Sequence, residues 1–425
     1  MLAELNSELP PVGNNQHCSP TMLSSPAEAS ATIAQHLPKM PVEDCGIEAA
    51  HGRVLRSAIV ADRPMPVFDR VTMDGFAVRA ADFGTDKNAS AEVVGFQAAG
   101  MIARTLSKPG TAIEIATGAV LSAGADAIVP YEDADRDGDR IRLREGAPRI
   151  AGQNIHRCGS DCAAGKELVA PGTVLTGREI AVAASTGCSR LQVSARPSIA
   201  VVATGDELID VGIPQIAPHQ IRKSNDYALR AALDQSHLAG RIERFHIRDH
   251  RTEIEAALGQ ILAEFDVVIL TGGVSKGKKD HVPAVLADLG ATERLRGIAQ
   301  RPGKPLWFGT TSRNTPIFAL PGNPVSTYTC LHRYVFPALR QMADANPVEC
   351  ETVCLTEAFK FPRPLAFMLP VKLTTDEQGQ RGAHPAAFNT SGDLGGLLNT
   401  DGFVELAAGK TEFPAGHPAK LWRWI

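Results

Sequence analysis

The chain changes rhythm several times along its length. Residues 1–24 carry Pro10, Pro11, Pro20, Asn14, Asn15 and several serines with no apolar period, which predicts a flexible tail. Ser25-Pro26-Ala27-Glu28 then has the form of a helix start, with serine as cap, proline at the first helical position and glutamate closing a capping box. Ile33 and Leu37 follow four apart on one face. From residue 59 to 161 short runs alternate between glycine turns, at 92–96, 112–115, 127–132 and, after Asp137-Gly138, at 140–144, which predicts a mostly-β module. Thr176-Gly177-Arg178-Glu179 opens a second capped helix, with Ile180, Ala183 and Ala184 on one face and Gly187 past its end. Pairing the two capped helices gives a discontinuous domain, 25–58 with 162–196, into which the β module is inserted.

Residues 197–342 alternate strand and helix. Strands are expected at 198–203, 241–247 and 266–270. Helices are expected from the Ser224 cap to about 237, from Thr252-Glu253 onward, and over 282–289 up to Gly290. That order predicts right-handed crossovers and a doubly wound α/β domain whose parallel sheet is covered on both faces. Helical periodicity ends after about Asn346, and strands at 352–356, 367–373 and 402–406 predict a small all-β, barrel-like C-terminal domain over 343–425. The fold class is therefore multidomain α/β plus β.

Composition narrows the choice. Hydrophobic residues at 44% and charged residues at 21% suit a folded chain, so disorder is confined to local segments. A net charge of -4 gives no basic field for nucleic acid, and aromatics at 5% leave few stacking platforms for bases. No run nears the roughly 20 apolar residues that span a bilayer. The first basic residue is Lys39, so the charged region of an export signal is missing. Eight cysteines without a C-x-x-C pair read as reduced cytoplasmic thiols; a zinc set built on Cys158 and Cys162 or Cys350 and Cys354 is the weaker reading.

The densest chemical signal lies where an apolar strand gives way to a helix, at Leu270-Thr271-Gly272-Gly273-Val274-Ser275-Lys276-Gly277-Lys278-Lys279-Asp280. Glycines let the backbone approach a ligand, free amides at a helix start favour an anion, and lysine adds charge, a combination suited to phosphate. It does not match the P-loop pattern, and a glycine turn with solvated lysines is the plain alternative. Asp280 beside such a loop suits Mg²⁺ and would serve equally as a helix cap. The first strand of the same domain runs into Ala203-Thr204-Gly205-Asp206-Glu207-Leu208. Open parallel sheets bind ligands outside the carboxyl ends of their strands, so Asp206, Glu207, Thr271 and Asp280 are expected on one crevice, with Asp249 on the same edge. Singly, each acid is an ordinary loop carboxylate.

Two proline-glycine turns follow. Gln300-Arg301-Pro302-Gly303-Lys304-Pro305 presents Arg301 and Lys304 in a form suited to an oxyanion, and Leu320-Pro321-Gly322-Asn323-Pro324-Val325-Ser326 puts Pro324 near the start of a helix whose amides face outward. Stiff loops are the plainer reading of both. In the β module, Pro66-Val67-Phe68-Asp69-Arg70-Val71-Thr72-Met73-Asp74-Gly75-Phe76-Ala77 sets two acids in a loop that alone reads as a turn.

Together these segments resemble the molybdopterin molybdenumtransferase family, called MoeA in bacteria and represented in animals by the E domain of gephyrin. The resemblance runs from about residue 25 to the end. It rests on Phe68-Asp69 with Met73-Asp74-Gly75-Phe76-Ala77, Thr117-Gly118-Ala119, Gly124-Ala125-Asp126-Ala127 and Thr204-Gly205-Asp206-Glu207-Leu208. Thr271-Gly272-Gly273-Val274-Ser275 and the two proline-glycine turns complete it. It implies a central domain of the molybdopterin-binding type and a homodimer with its active site at the subunit interface. Contact with other molybdenum-cofactor biosynthesis proteins is a further implication. The implied reaction turns adenylylated molybdopterin and molybdate into molybdenum cofactor and AMP with Mg²⁺.

Carried onto matching positions, the resemblance implies Asp69, Thr117, Asp161, Glu207, Asp249 and Asp280 as catalytic residues, with Asp280 and Glu207 nearest the metal. Thr204, Gly205, Asp206, Gly272, Gly273, Ser275, Lys276, Pro321, Gly322, Asn323 and Pro324 would bind substrate, and Arg301, Lys304, Pro305 and Ser391 would bind molybdate. The chain departs from the family pattern at Arg70-Val71-Thr72, at Lys276, at Arg301 and at Arg222-Lys223 before Ser224. A further departure is Leu369, where the family has an arginine that Arg363 or Arg381 would have to replace in space. The alternative these departures favour is a pterin-binding or scaffold paralogue without turnover.

Overall fold

The computed structural model describes residues 23–84, 89–145, 147, 150–273, 281–386 and 390–424. The chain forms two compact units, one of residues 42–194 and one that joins the chain up to residue 41 with residues 195–425.

In the larger unit, six strands form a sheet in the order Ile242–Ile247, Ile199–Thr204, Val267–Thr271, Pro316–Leu320, Trp307–Thr310, Thr292–Arg296. The first four run parallel, and the last two run antiparallel to their neighbours. The expected parallel sheet is therefore mixed. Only residues 311–315 separate Trp307–Thr310 from Pro316–Leu320, too few for a crossover, so that pair closes as a hairpin. Both faces are covered, as continuously apolar strands require. Ile199, Val201, Val267 and Ile269 meet Leu229, Leu233 and Leu339 on one side, while Ala200, Val202, Val268 and Leu270 meet Ile254, Leu258 and Leu286 on the other.

Helix Pro26–Gln35 opens with the expected Ser25–Glu28 capping box. Its Ala29 and Ile33, however, are buried in the first of those layers. Helix Gly177–Ser185 buries Ala183 in a different core, with Leu55, Leu175 and Leu191. An apolar stripe demands a partner without naming one. Helix Arg251–Glu264 starts after His250, ahead of the expected Thr252. Residues 324–342 run as Pro324–Cys330, a π turn at Leu331–Val335 and Phe336–Met342. The wide turn lies just ahead of Pro337, which has no N–H for the regular ladder and whose ring would crowd the carbonyl four residues back.

The C-terminal strands close into a five-stranded barrel: Ala366–Thr375, Arg381–Pro385, Thr352–Leu355, Pro418–Arg423, Gly402–Leu406, and back to Ala366–Thr375. Alternation places Phe367, Leu369 and Val371 inside with Val353, Val404 and Leu421, and turns Met368 outward onto Phe403 and Trp422.

The smaller unit holds a six-stranded sheet in the order Ala127–Pro130, Gly75–Val78, Thr111–Ile115, Ser90–Gln97, Arg140–Leu143, Ala134–Asp137. Phe76, Val78, Ala112 and Val129 pack on one face; Ala77, Ile113, Ile115 and Ile128 pack on the other.

Candidate functional site

The carboxyl ends of Ile199–Thr204 and Val267–Thr271 open into a cleft of about 630 Å³. Thr204, Glu207, Asp249, Thr271, Gly272, Gly273, Pro305, Pro321, Gly322, Asn323 and Pro324 line it, so most residues singled out in this unit share one crevice. Strand order is the reason: Ile199–Thr204 lies between Ile242–Ile247 and Val267–Thr271, and the loops leaving all three emerge on one edge. Asp206 is different. Its carboxylate accepts the Asp249 backbone N–H at 3.1 Å, bracing one loop against another. Ser275, Lys276 and Asp280 lie outside the described residues.

Gly272 and Gly273 have φ of 94° and 68°, and a Cβ at Gly272 would stand 2.6 Å from the Thr204 carbonyl oxygen. A Cβ at Gly273 would meet Val282 Cγ2 at 2.7 Å and Thr204 Oγ1 at 2.8 Å. Only glycine fits either place, which brings bare backbone to the cleft wall. The Thr204 hydroxyl beneath this turn is buried and has no hydrogen-bond partner among the described residues.

Asn225 was not among the candidates drawn from the sequence. Its Nδ2 donates to Thr271 Oγ1 at 2.8 Å and to the Gly322 carbonyl at 2.8 Å, and Thr327 Oγ1 is also within reach at 3.3 Å. One amide therefore ties the start of a helix, the end of a strand and a proline-glycine turn. The only signal for it in sequence was its place after the Ser224 cap. Within the turn, Asn323 Nδ2 donates to Ser391 Oγ at 2.8 Å and the Val325 N–H to the Ser391 carbonyl at 3.1 Å, which brings the predicted serine to the cleft edge.

Arg301 and Lys304 project from the next turn, which reaches the cleft through Pro305. Partial loss of hydration and then the like charge of Arg363 lower the pKa of Arg301. Among the described residues neither arginine has a carboxylate partner. Two cations that feel one another, neither paired with a carboxylate among the described residues, have the charge that suits an anion. Leu369, by contrast, is wholly buried inside the barrel. Of the two arginines considered as its replacement, Arg381 is paired with Glu351 at 3.1 Å.

In the smaller unit Asp69 accepts the Cys158 N–H at 2.8 Å and an Arg157 guanidinium N–H at 2.5 Å. The Cys158 amide first, and Arg157 after it, hold the Asp69 carboxyl below its ordinary range against the opposing effect of burial. Asp161 pairs with His156 Nε2 at 2.7 Å, and Arg70 Nη2 reaches His156 Nδ1 at 3.1 Å. Arginine can only donate, so Nδ1 accepts and Nε2 carries the proton given to Asp161. The Thr117 N–H donates to Asp74 at 2.7 Å. Arg70–Val71 pairs with Ile155–His156, and that ribbon joins the two loops.

Among the described residues no three His, Cys, Asp or Glu side chains are grouped to hold a metal by themselves. Mg²⁺ is commonly held by one or two carboxylates together with substrate phosphates, and Glu207 with Asp249 fits that donor set.

A doubly wound sheet with acids and a double-glycine turn at its carboxyl edge defines an α/β protein of the class that binds its ligand outside the carboxyl ends of the strands. Residues 24–187 match the MoeA N-terminal region (domain I and II), residues 200–341 the probable molybdopterin binding domain, and residues 352–424 the MoeA C-terminal region (domain IV). The molybdopterin molybdenumtransferase of Synechocystis is 34% identical over 402 residues, 94% of this chain and 100% of that protein. That of Staphylococcus aureus is 30% identical over 402 residues, 93% of this chain and 94% of that protein. A crystal structure of a molybdopterin biosynthesis MoeA protein from Pyrococcus horikosii superposes with a TM-score of 0.77 at 28% identity, covering 95% of this chain and 99% of that one. The chain belongs to the molybdopterin molybdenumtransferase family.

Proposed function

We propose that the chain inserts molybdenum from molybdate into adenylylated molybdopterin, hydrolysing the adenylyl linkage and releasing AMP and molybdenum cofactor. It acts in the cytoplasm as a homodimer and requires Mg²⁺. The observation that carries this reading is the single crevice shared by Glu207, Asp249, the Gly272–Gly273 turn and the Pro321–Pro324 turn.

In this reading the substrate's diphosphate lies along the backbone of Gly272 and Gly273, whose turn is seated on Thr204. Glu207 and Asp249 would hold Mg²⁺. The ion, when bound, offsets the negative charge of the leaving phosphate. Asp206 keeps the Asp249 loop in place. Arg301, Lys304, Arg363 and Ser391 receive molybdate, a tetrahedral dianion whose charge matches an uncompensated cation cluster. Asp69, Thr117 and Asp161 serve the same reaction. Arg363 takes the place of the cation missing at Leu369, so that departure gives no support to a paralogue without turnover.

The test is AMP release from adenylylated molybdopterin in four mixtures, with and without Mg²⁺ and with and without molybdate. Release only when both are present supports the assignment; substrate binding without release under any of the four conditions overturns it.

A further inference from the structure

The turn that displays Arg301 and Lys304 rests on a polar network sealed from solvent. Gln300 is 0% exposed and Tyr334, from the π turn of residues 331–335, is 2% exposed. Gln300 Nε2 donates to the Pro302 carbonyl at 2.9 Å and also faces Cys330 Sγ at 3.9 Å. A carbonyl can only accept, so the orientation of the amide is fixed and its Oε1 must face the other way. There it accepts the Tyr334 hydroxyl. Burial holds both the Tyr334 phenol and the Cys330 thiol in their protonated forms, so each is available as a donor. The turn sits tightly on this base. Gly303 has φ of 94°, and a Cβ there would come within 2.6 Å of both Cys330 Sγ and Gln300 Nε2.

Such a base answers a physical need. Arg301 and Arg363 repel one another and, among the described residues, neither is paired with a carboxylate, so without an anion the charges alone would favour displacement of the turn. A buried donor on the Pro302 carbonyl opposes that movement, and its own acceptor is occupied by Tyr334, so displacing the turn would leave polar groups unpaired in the interior. We propose that Gln300 and Tyr334 are positioning residues for the oxyanion site: they hold the Arg301–Lys304 turn in its anion-binding form before molybdate arrives. The inference rests on the assignment of that turn to molybdate.

The experiment measures AMP release while titrating molybdate at saturating adenylylated molybdopterin, then titrating the pterin at saturating molybdate. It compares wild type, Tyr334→Phe, Gln300→Met and Arg301→Ala in the full-length protein. Tyr334→Phe and Gln300→Met each keep side-chain volume and remove part of the network. Both are expected to raise the KM for molybdate about tenfold, with the pterin KM and the kcat at saturating molybdate within about twofold of wild type. A variant that fails to fold is replaced by the other, since each breaks the same network. Unchanged molybdate KM in the folded variants, or a parallel rise in both KM values, overturns the inference. Arg301→Ala separates the two levels: if it too leaves the molybdate KM unchanged, the assignment of the turn itself is wrong, whereas a rise in Arg301→Ala alone refutes only the positioning role.

Discussion

His156 gives its Nε2 proton to Asp161 across 2.7 Å, and Arg70 on the other ring nitrogen, at 3.1 Å, fixes the tautomer that allows it. Arg70 was a departure from the family pattern, and in the folded chain it holds a ring that in turn orients an acid. His156→Leu should lower the kcat of AMP release about tenfold, and Arg70→Ala by a smaller factor, with little change in melting temperature because the cluster is largely exposed. Wild-type rates in His156→Leu would show that Asp161 needs no such support.

Leu369 offers a test of the barrel. Restoring the family's arginine there, Leu369→Arg, would bury a cation among Phe367, Val371 and Val404 without a partner. A loss of about 4 kcal/mol or more is expected, as for other unpaired buried charges. Chemical denaturation gives the answer directly; a stable Leu369→Arg protein with improved molybdate affinity would contradict the inward orientation.

Arg363 and Arg301 should act together on the anion. Each single alanine variant is expected to weaken molybdate binding about tenfold in calorimetric titration. Because each single variant also relieves the repulsion felt by the remaining arginine, part of its loss is offset, and the double variant should lose more than the product of the two. Strict additivity would mean that the two guanidiniums do not share a ligand.

Asn225→Leu should cost about 2–3 kcal/mol, since it leaves the Thr271 hydroxyl and the Gly322 carbonyl without their shared donor. Substrate affinity should fall with it, because the loops it joins line the cleft. Urea unfolding combined with substrate titration distinguishes this from a purely structural effect.

Stability should also decline in acid through His332. Burial lowers its pKa from the ordinary 6.5 to about 4, although its N–H contact with the Tyr328 carbonyl opposes the shift. Between these two values the unfolded chain binds a proton that the folded chain refuses, so stability falls as pH drops through that window and the loss levels off below about 4. The full loss is on the order of 3 kcal/mol. Melting temperatures from pH 7 to 4 should drop more steeply in wild type than in His332→Phe, whose ring can still pack against Phe336 and Trp424. Parallel curves would rule out His332 as the source.

The amino-acid sequence determined the local features by itself, because their causes are local. The Ser25–Glu28 capping box, the apolar strands through Thr204 and Thr271, and the double glycine at 272 and 273 each follow from neighbouring residues or from the conformations open to one residue. Strand-end placement also foretold a shared crevice, since parallel strands in one sheet deliver their loops to one edge. Tertiary structure decided the rest. It chose the partner of helix Pro26–Gln35, turned the far edge of the sheet antiparallel, and sent Leu369 into the barrel while leaving Arg363 beside Arg301. Asn225 and Gln300 gained their roles from groups far along the chain, at Gly322 and Tyr334. A polar side chain shows in sequence only what it can donate or accept; which buried group needs that bond is set once distant segments have packed.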